Sequence, residues 1–97
     1  GDGVQVRRVP ETFELYGNYP NPIRQSTTIR YDLPSERHVK LRVYDVLGRH
    51  VATLVDETQK PGRKTVTWQA AEMASGVYVY RLTAGDRSET GKMTVVR

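Results

Sequence analysis

Apolar residues alternate with polar residues in a series of short runs along this chain, and Gly or Pro lies between most of the runs. The runs around Ile29, Leu41 and Trp68 have the two-residue period of a β-strand that buries one face. Turn-forming residues recur every 8 to 12 positions, which is the spacing of short antiparallel strands joined by hairpins. The pattern therefore predicts an all-β domain, a seven-strand antiparallel immunoglobulin-like β-sandwich, with a jelly roll or a partly open barrel as alternatives.

The pattern also predicts the positions of two turns, the apolar faces of one strand and the end of the last strand. Residues 45–49 are predicted to form a hairpin turn, and residues 70–74 a single helical turn at most. In residues 77–82, one face carries Tyr78, Tyr80 and Leu82 and the other carries Val77, Val79 and Arg81. Either face could point into the core. The last strand is predicted to run from about Ser88 to Arg97, so that the chain ends inside a strand.

An entrance loop precedes the second strand and contains two prolines in five residues, Asn18-Tyr19-Pro20-Asn21-Pro22. Each proline fixes its own φ, lacks an N–H and pushes the preceding residue toward extended geometry. Helix and central strand are therefore excluded here. The side chains of Asn18 and Asn21 are expected to form local hydrogen bonds to the backbone, which predicts a rigid domain boundary.

The length, composition and charge of the chain exclude several classes of protein. At 97 residues the chain has room for one domain, and it contains no cysteine, which excludes disulfides, Cys-ligated zinc and thiol chemistry. The net charge is +4, but the basic residues are spread along the strands. We interpret them as a solvated sheet face that protects against edge association, in preference to a nucleic-acid patch. No apolar run is long enough for a membrane span.

No catalytic or metal-binding motif is present, so the sequence predicts no enzyme, no catalytic residues, no metal site and no cofactor. His38 and His50 are expected in or beside turns, and Asp45 and Asp56 are interpreted as turn formers. A sugar-binding platform on one sheet face remains an alternative. Its candidates are the aromatic side chains of Tyr16, Tyr19, Trp68, Tyr78 and Tyr80.

Five segments together resemble one known family. They are Leu15-Tyr16-Gly17-Asn18-Tyr19-Pro20-Asn21-Pro22, Thr27-Thr28-Ile29-Arg30-Tyr31-Asp32-Leu33, Val43-Tyr44-Asp45-Val46-Leu47-Gly48-Arg49, Ser75-Gly76-Val77-Tyr78 and Lys92-Met93. In this order they resemble the type A C-terminal sorting domain of the type IX secretion system, a relative of the Ig-like domain of the flagellar hook-capping protein. The resemblance covers about residues 13–97.

The resemblance implies a non-catalytic sorting module at the end of a larger secreted protein of a Gram-negative bacterium. Residues 1–11 resemble the linker to the parent protein, with Arg7-Arg8 as an accessible basic pair, and residues 12–97 form the sorting domain. The implied partners are the outer-membrane translocon and a sortase-like surface peptidase that attaches the passenger to an anionic lipopolysaccharide. The implied location is the cell surface, reached through the periplasm and the outer membrane.

The family motifs also imply candidate recognition residues for the translocon or the peptidase: Asn21, Pro22, Gly76, Tyr78, Lys92 and Arg97. Each has a structural alternative, such as a positive φ at Gly76 or a corner tyrosine at Tyr78. The last strand is favoured as functional because a chain end is free to pair with a partner's sheet edge. The chain departs from the family pattern at Ile23, where an aromatic residue is common, and at Arg97, where lysine is more usual.

Two other functions fit the residues. A carbohydrate-binding module of a secreted hydrolase would use the aromatic side chains, and a plain Ig-like spacer would have neither sorting activity nor a ligand.

Overall fold

The computed structural model describes residues 9–97, which form seven strands in two antiparallel sheets. The strands are β1 (Glu14–Leu15), β2 (Ser26–Leu33), β3 (Arg37–Asp45), β4 (His50–Gln59), β5 (Gly62–Gln69), β6 (Gly76–Ala84) and β7 (Arg87–Val95). One sheet has the order β1-β2-β5 and the other the order β4-β3-β6-β7. The predicted all-β, seven-strand antiparallel immunoglobulin-like sandwich is confirmed. Arg7-Arg8 and most of the predicted linker lie outside the described residues, so the division into residues 1–11 and 12–97 stays a prediction.

The position of β4 distinguishes this sandwich from the constant-type immunoglobulin domain. In the constant-type domain the fourth strand lies in the sheet of the first, second and fifth strands. Here β4 pairs with β3 through the hairpin, from Arg37 opposite Gln59 to Tyr44 opposite His50. β3 therefore lies between β4 and β6, and its alternating side chains face the core on one side and solvent on the other.

The core lies between the two sheets and comes from the predicted alternation. From β2 and β3 it takes side chains that are at most 1% exposed: Ile29, Tyr31, Leu33, Val39, Leu41 and Val43. The sequence left open which face of β6 points into the core. It is the face that carries Tyr78, Tyr80 and Leu82. The Trp68 ring meets the Tyr78 ring edge-on at a centroid distance of 5.5 Å, which joins the two sheets through an aromatic pair.

The prediction that Asp56 lies in a turn was wrong. β4 continues to Gln59, so Asp56 lies in a strand opposite Lys40 instead of in a turn. Residues 56–59 are polar on both faces, so the one-sided apolar pattern that would mark them as a strand is missing. His38 and His50 lie near the starts of β3 and β4, beside the turns that precede these strands, as expected. The segment after Ala70 forms a single β-turn, in which Met73 donates to the Ala70 carbonyl at 3.0 Å, which agrees with the expectation of one turn at most.

The last strand is shorter than predicted. β7 ends at Val95, which lies opposite Gly76 at the start of β6, and the N–H of Val96 donates to the carbonyl of Ile23 at 2.9 Å. Arg97 therefore lies outside the strand.

Candidate functional site

The entrance loop and the last residues of the chain are joined at one end of the sandwich. Ile23 and Val95 form a parallel bridge, in which the Ile23 N–H donates to the Thr94 carbonyl at 2.7 Å. The Ile23 side chain is fully buried, so it fills the position behind Pro22 where the family more often has an aromatic residue. We call this region, comprising residues 18–25, 70–75 and 94–97, the terminal junction.

Asn21 connects the entrance loop to the end of β7. Its Oδ1 accepts a hydrogen bond from the N–H of Thr94 at 3.0 Å. The predicted local bond is therefore wrong for Asn21, whose partner lies 73 residues away in the sequence. Asn18 does make the predicted local bond, to the carbonyl of Pro20 at 3.4 Å, and it also donates to Thr27 Oγ1 at 3.0 Å.

Arg97 connects the segment after β7 to the entrance loop and to the loop between β5 and β6. Its guanidinium donates to the Arg24 carbonyl at 2.5 Å and to the carbonyls of Ala70 and Met73. The flat, forked guanidinium presents several N–H donors at fixed angles, whereas a lysine ammonium is a compact point charge. The arginine at this position thus ties the end of the chain to two loops. The expectation of a free end available to a sheet edge was wrong.

Gly76 and Tyr78 form the corner between β5 and β6 beside this junction. Tyr78 is buried, and its Oη donates to the Ala74 carbonyl, four residues upstream, at 2.8 Å. This is the geometry of the tyrosine corner of immunoglobulin-like domains. Gly76 has a φ of +154°, which L side chains rarely adopt. Both residues therefore have a structural role in placing the start of β6 opposite Val95.

The side chains of Pro22 and Lys92 make none of the hydrogen bonds that hold the terminal junction. Pro22 is exposed and lines a shallow depression together with Pro20 and Arg24. Lys92 is exposed on the outer face of β7, opposite Val79. The structure thus gathers Asn21, Pro22, Gly76, Tyr78 and Arg97 at one end of the sandwich, whereas Lys92 lies apart on a sheet face.

The β3–β4 hairpin lies at the same end and exposes two large apolar side chains that sequence analysis did not single out. Val46 is 67% exposed and Leu47 is 73% exposed. Asp45 fixes the turn, because its carboxylate accepts from the N–H groups of Leu47 and Arg49, both at 2.9 Å, and from Arg49 Nε at 2.7 Å. These hydrogen bonds, led by the one from the Arg49 backbone, hold the pKa of Asp45 below its usual value.

A second polar cluster lies on the outer face of the three-stranded sheet. Tyr16 Oη donates to Asp32 Oδ2 at 2.5 Å, and this bond is the main cause that raises the pKa of Tyr16. Arg63 Nε lies 4.0 Å from the other oxygen of Asp32, and Arg30 lies over the Tyr16 ring. Asp32 is buried, so the hydrogen bond from Tyr16 and the nearby positive charge of Arg63 offset the cost of removing its carboxylate from water.

The alternative of an aromatic platform on one sheet face is not supported, because most of its candidate side chains are buried. Trp68, Tyr78 and Tyr80 are in the core, and only Tyr19, at 80% exposure, presents most of its ring to solvent. Among residues 9–97, no three His, Cys, Asp or Glu side chains are grouped so that they could hold a metal ion. The same residues contain no helix of the length and apolarity that crossing a membrane requires.

Comparison with known structures identifies the same sandwich in two larger proteins of Porphyromonas gingivalis. The chain is similar to part of dimeric latent PorU, with a TM-score of 0.68 and 23% identity over 87% of this chain. It is also similar to part of PorZ, described as an essential bacterial surface component of the type IX secretion system, with a TM-score of 0.63 and 24% identity over 86% of this chain. The matches span only 9% and 11% of those proteins.

A search of curated proteins found no match. The family described as the secretion system C-terminal sorting domain matches residues 18–96, which run from the start of the entrance loop to the residue before Arg97. This range includes β2 to β7 and nearly all of the terminal junction. The chain therefore belongs to the family of secretion system C-terminal sorting domains.

Proposed function

We propose that this domain directs an attached passenger protein across the outer membrane through the type IX secretion system, and that the translocon recognises the terminal junction. The family match is the observation that carries the proposal. The clustering of Asn21, Pro22 and Arg97 supports it, because these exposed residues come from opposite ends of the domain and meet only when it is folded. A receptor that binds them would therefore distinguish folded from unfolded cargo.

The candidate residues divide into two roles. Asn21, Pro22 and Arg97 form the exposed rim of the junction, and Gly76 is exposed beside it, so a partner has direct access to all four. Tyr78 is buried and acts by fixing the corner that presents Gly76. Lys92 contributes from the adjacent sheet face as a separate contact.

The attached passenger would be processed outside this domain. In this proposal a sortase-like surface peptidase cleaves within or ahead of residues 1–11 and joins the passenger to an anionic lipopolysaccharide. Phe13 supports a boundary here, because it is the first buried residue of the described chain and marks the point where the core begins. The domain itself serves as an address label and performs no reaction.

A reporter fusion tests the proposal. Residues 1–97 are fused to the C-terminus of a periplasmic reporter in a host with a type IX system, and surface and periplasmic reporter are measured. Arg97→Gln removes the guanidinium contacts, and Lys60→Gln is the matched control, since Lys60 lies in the turn between β4 and β5, away from the junction. We expect surface reporter for the unaltered fusion and for Lys60→Gln, and a loss for Arg97→Gln.

The outcomes separate the two parts of the proposal. If the unaltered fusion stays in the periplasm, the sorting function is wrong for this chain. If all three fusions reach the surface equally, sorting holds but recognition at Arg97 is wrong. Melting curves of the isolated domains show whether Arg97→Gln still folds, and Pro22→Ala, which changes an exposed side chain, provides a second probe of the same rim.

A further inference from the structure

The outer face of the four-stranded sheet carries four basic side chains. Lys40 and Arg42 point outward from β3, Arg81 from β6 and Lys92 from β7, because the residues that alternate with them are in the core. Arg42 lies directly opposite Arg81 in the β3–β6 register. We call these four residues the basic face.

The basic face is an unfavourable arrangement for the isolated domain. Directly opposed residues on antiparallel strands have Cβ atoms about 4.5–5.5 Å apart, and like charges at such positions are destabilising. In addition, the Nε atom of Arg42 is withdrawn from solvent and has no hydrogen-bond partner among the described residues. A donor left in this state carries a desolvation cost within the isolated domain.

Little negative charge offsets the basic face. Asp56 lies opposite Lys40, and its carboxylate is hydrogen-bonded to His38 Nε2 at 2.6 Å. This hydrogen bond, with the charges of Lys40 and Arg42, holds the pKa of Asp56 below its usual value. Within residues 9–97, no carboxylate lies within 4.0 Å of a charged nitrogen of Arg42, Arg81 or Lys92. The positive charge is therefore directed to solvent.

We propose that the basic face is a docking surface for an acidic patch on a folded protein partner. Arginine and tyrosine are the residue types enriched at protein–protein hot spots, and guanidinium groups bind carboxylates in a bidentate fashion. Arg42 and Arg81 would each pair with a partner carboxylate, and Tyr44, beside them on β3, would extend the contact. This surface is separate from the terminal junction, with Lys92 as the one residue common to both proposals.

Two features distinguish this partner from a glycan or a membrane. Arg81 lies over the Tyr44 ring at 5.4 Å and His50 contacts the ring edge-on at 6.0 Å, so two neighbours already engage this ring and compete with stacking on a sugar. Val77 is the only large apolar side chain exposed on this face among the described residues, which provides little surface for insertion into a bilayer.

A titration of the ¹⁵N-labelled domain with a polyglutamate peptide tests the proposal, with dextran sulfate and phosphatidylglycerol vesicles as parallel probes. We expect amide shifts concentrated in β3, β6 and β7, and tighter binding of polyglutamate than of the other two probes. The double substitution Arg42→Gln/Arg81→Gln should weaken polyglutamate binding by about tenfold or more. It leaves Lys92 unchanged, so the outcome does not depend on the sorting proposal.

The matched control is Lys60→Gln/Lys64→Gln, which removes the same charge from the β4–β5 turn and from β5, a strand of the other sheet. We expect it to change binding by less than about twofold. An equal loss in both double variants would show a response to net charge alone and would overturn the proposal, as would the absence of polyglutamate binding. Preferential binding of dextran sulfate or of vesicles would assign the face to a polysaccharide or a lipid surface instead. If the arginine variant does not fold, Lys40→Gln, with Lys60→Gln as its control, makes the same test of the face.

Discussion

The β3–β4 hairpin and the terminal junction lie at the same end of the sandwich, but different kinds of contact hold them in place. In the hairpin, Asp45 bonds Leu47 and Arg49, its neighbours in sequence, and the Asp45 N–H donates to the Arg49 carbonyl at 3.0 Å. In the junction, Asn21 and Arg24 bond Thr94 and Arg97, which lie 73 residues away.

Whether its contacts are local or long-range determines how each region responds to substitution. A turn held by its own residues can open while both sheets remain intact, so its hydrogen bonds report local stability. The junction closes only after both sheets have formed, so each of its contacts depends on the whole fold. We therefore expect substitutions in the junction to lower global stability and substitutions in the hairpin to have local effects.

Ile23→Ala should have the largest effect. The side chain is fully buried between the entrance loop and the end of β7, and truncating it leaves a cavity that the bridge to Val95 prevents from collapsing. We expect a loss of about 2–5 kcal/mol in the free energy of unfolding, measured by urea denaturation. Val46→Ala truncates an exposed side chain in the hairpin and should change stability by less than about 0.5 kcal/mol. Equal effects of the two substitutions would contradict the expectation that the junction contributes more to global stability than the hairpin does.

Gly76→Ala should have the next largest effect. A Cβ at this position meets no atom within 4 Å, so the cost arises from the backbone conformation and not from a clash. Holding a non-glycine residue at this φ costs about 1–3 kcal/mol, and chemical denaturation measures it. Gly17→Ala is the matched control, since Gly17 also has open space but lacks a positive φ. A stability equal to that of the control would show that β6 begins without strain.

Tyr78→Phe should have a smaller effect, of about 1 kcal/mol, because it removes the hydrogen bond to Ala74 and leaves the ring in the core. Thermal unfolding measures the loss. Tyr19→Phe removes a hydroxyl from an exposed side chain and should leave the melting temperature unchanged. If both substitutions have the same effect, the corner hydrogen bond does not contribute to the stability of the junction.

The same distinction explains which features could be predicted from the sequence. The inward faces of β2 and β3 follow from alternation, and the turn at Asp45 follows from local side-chain chemistry, so both were predicted correctly. The partners of Asn21 and Arg97 were not, because no local pattern encodes a contact between the two ends of a domain. The motifs identified the candidate residues, but only the folded chain shows that Tyr78 is buried and that Lys92 lies apart from the others.

Asp45→Asn should have the smallest effect on global stability and the clearest dependence on pH. The pKa of Asp45 is lowered in the folded chain, so folding favours its ionised form. The resulting stabilisation is present above the unfolded pKa and is lost as the pH falls through the lowered folded pKa. We expect the amides of Leu47 and Arg49, followed by NMR, to lose their hydrogen bonds in that acidic range while the amides of Ile23 and Val96 remain protected. Asp45→Asn should abolish this transition, whereas Asp86→Asn in the β6–β7 turn should preserve it. If the junction amides lost protection together with those of the hairpin, the hairpin would not be an independent local unit.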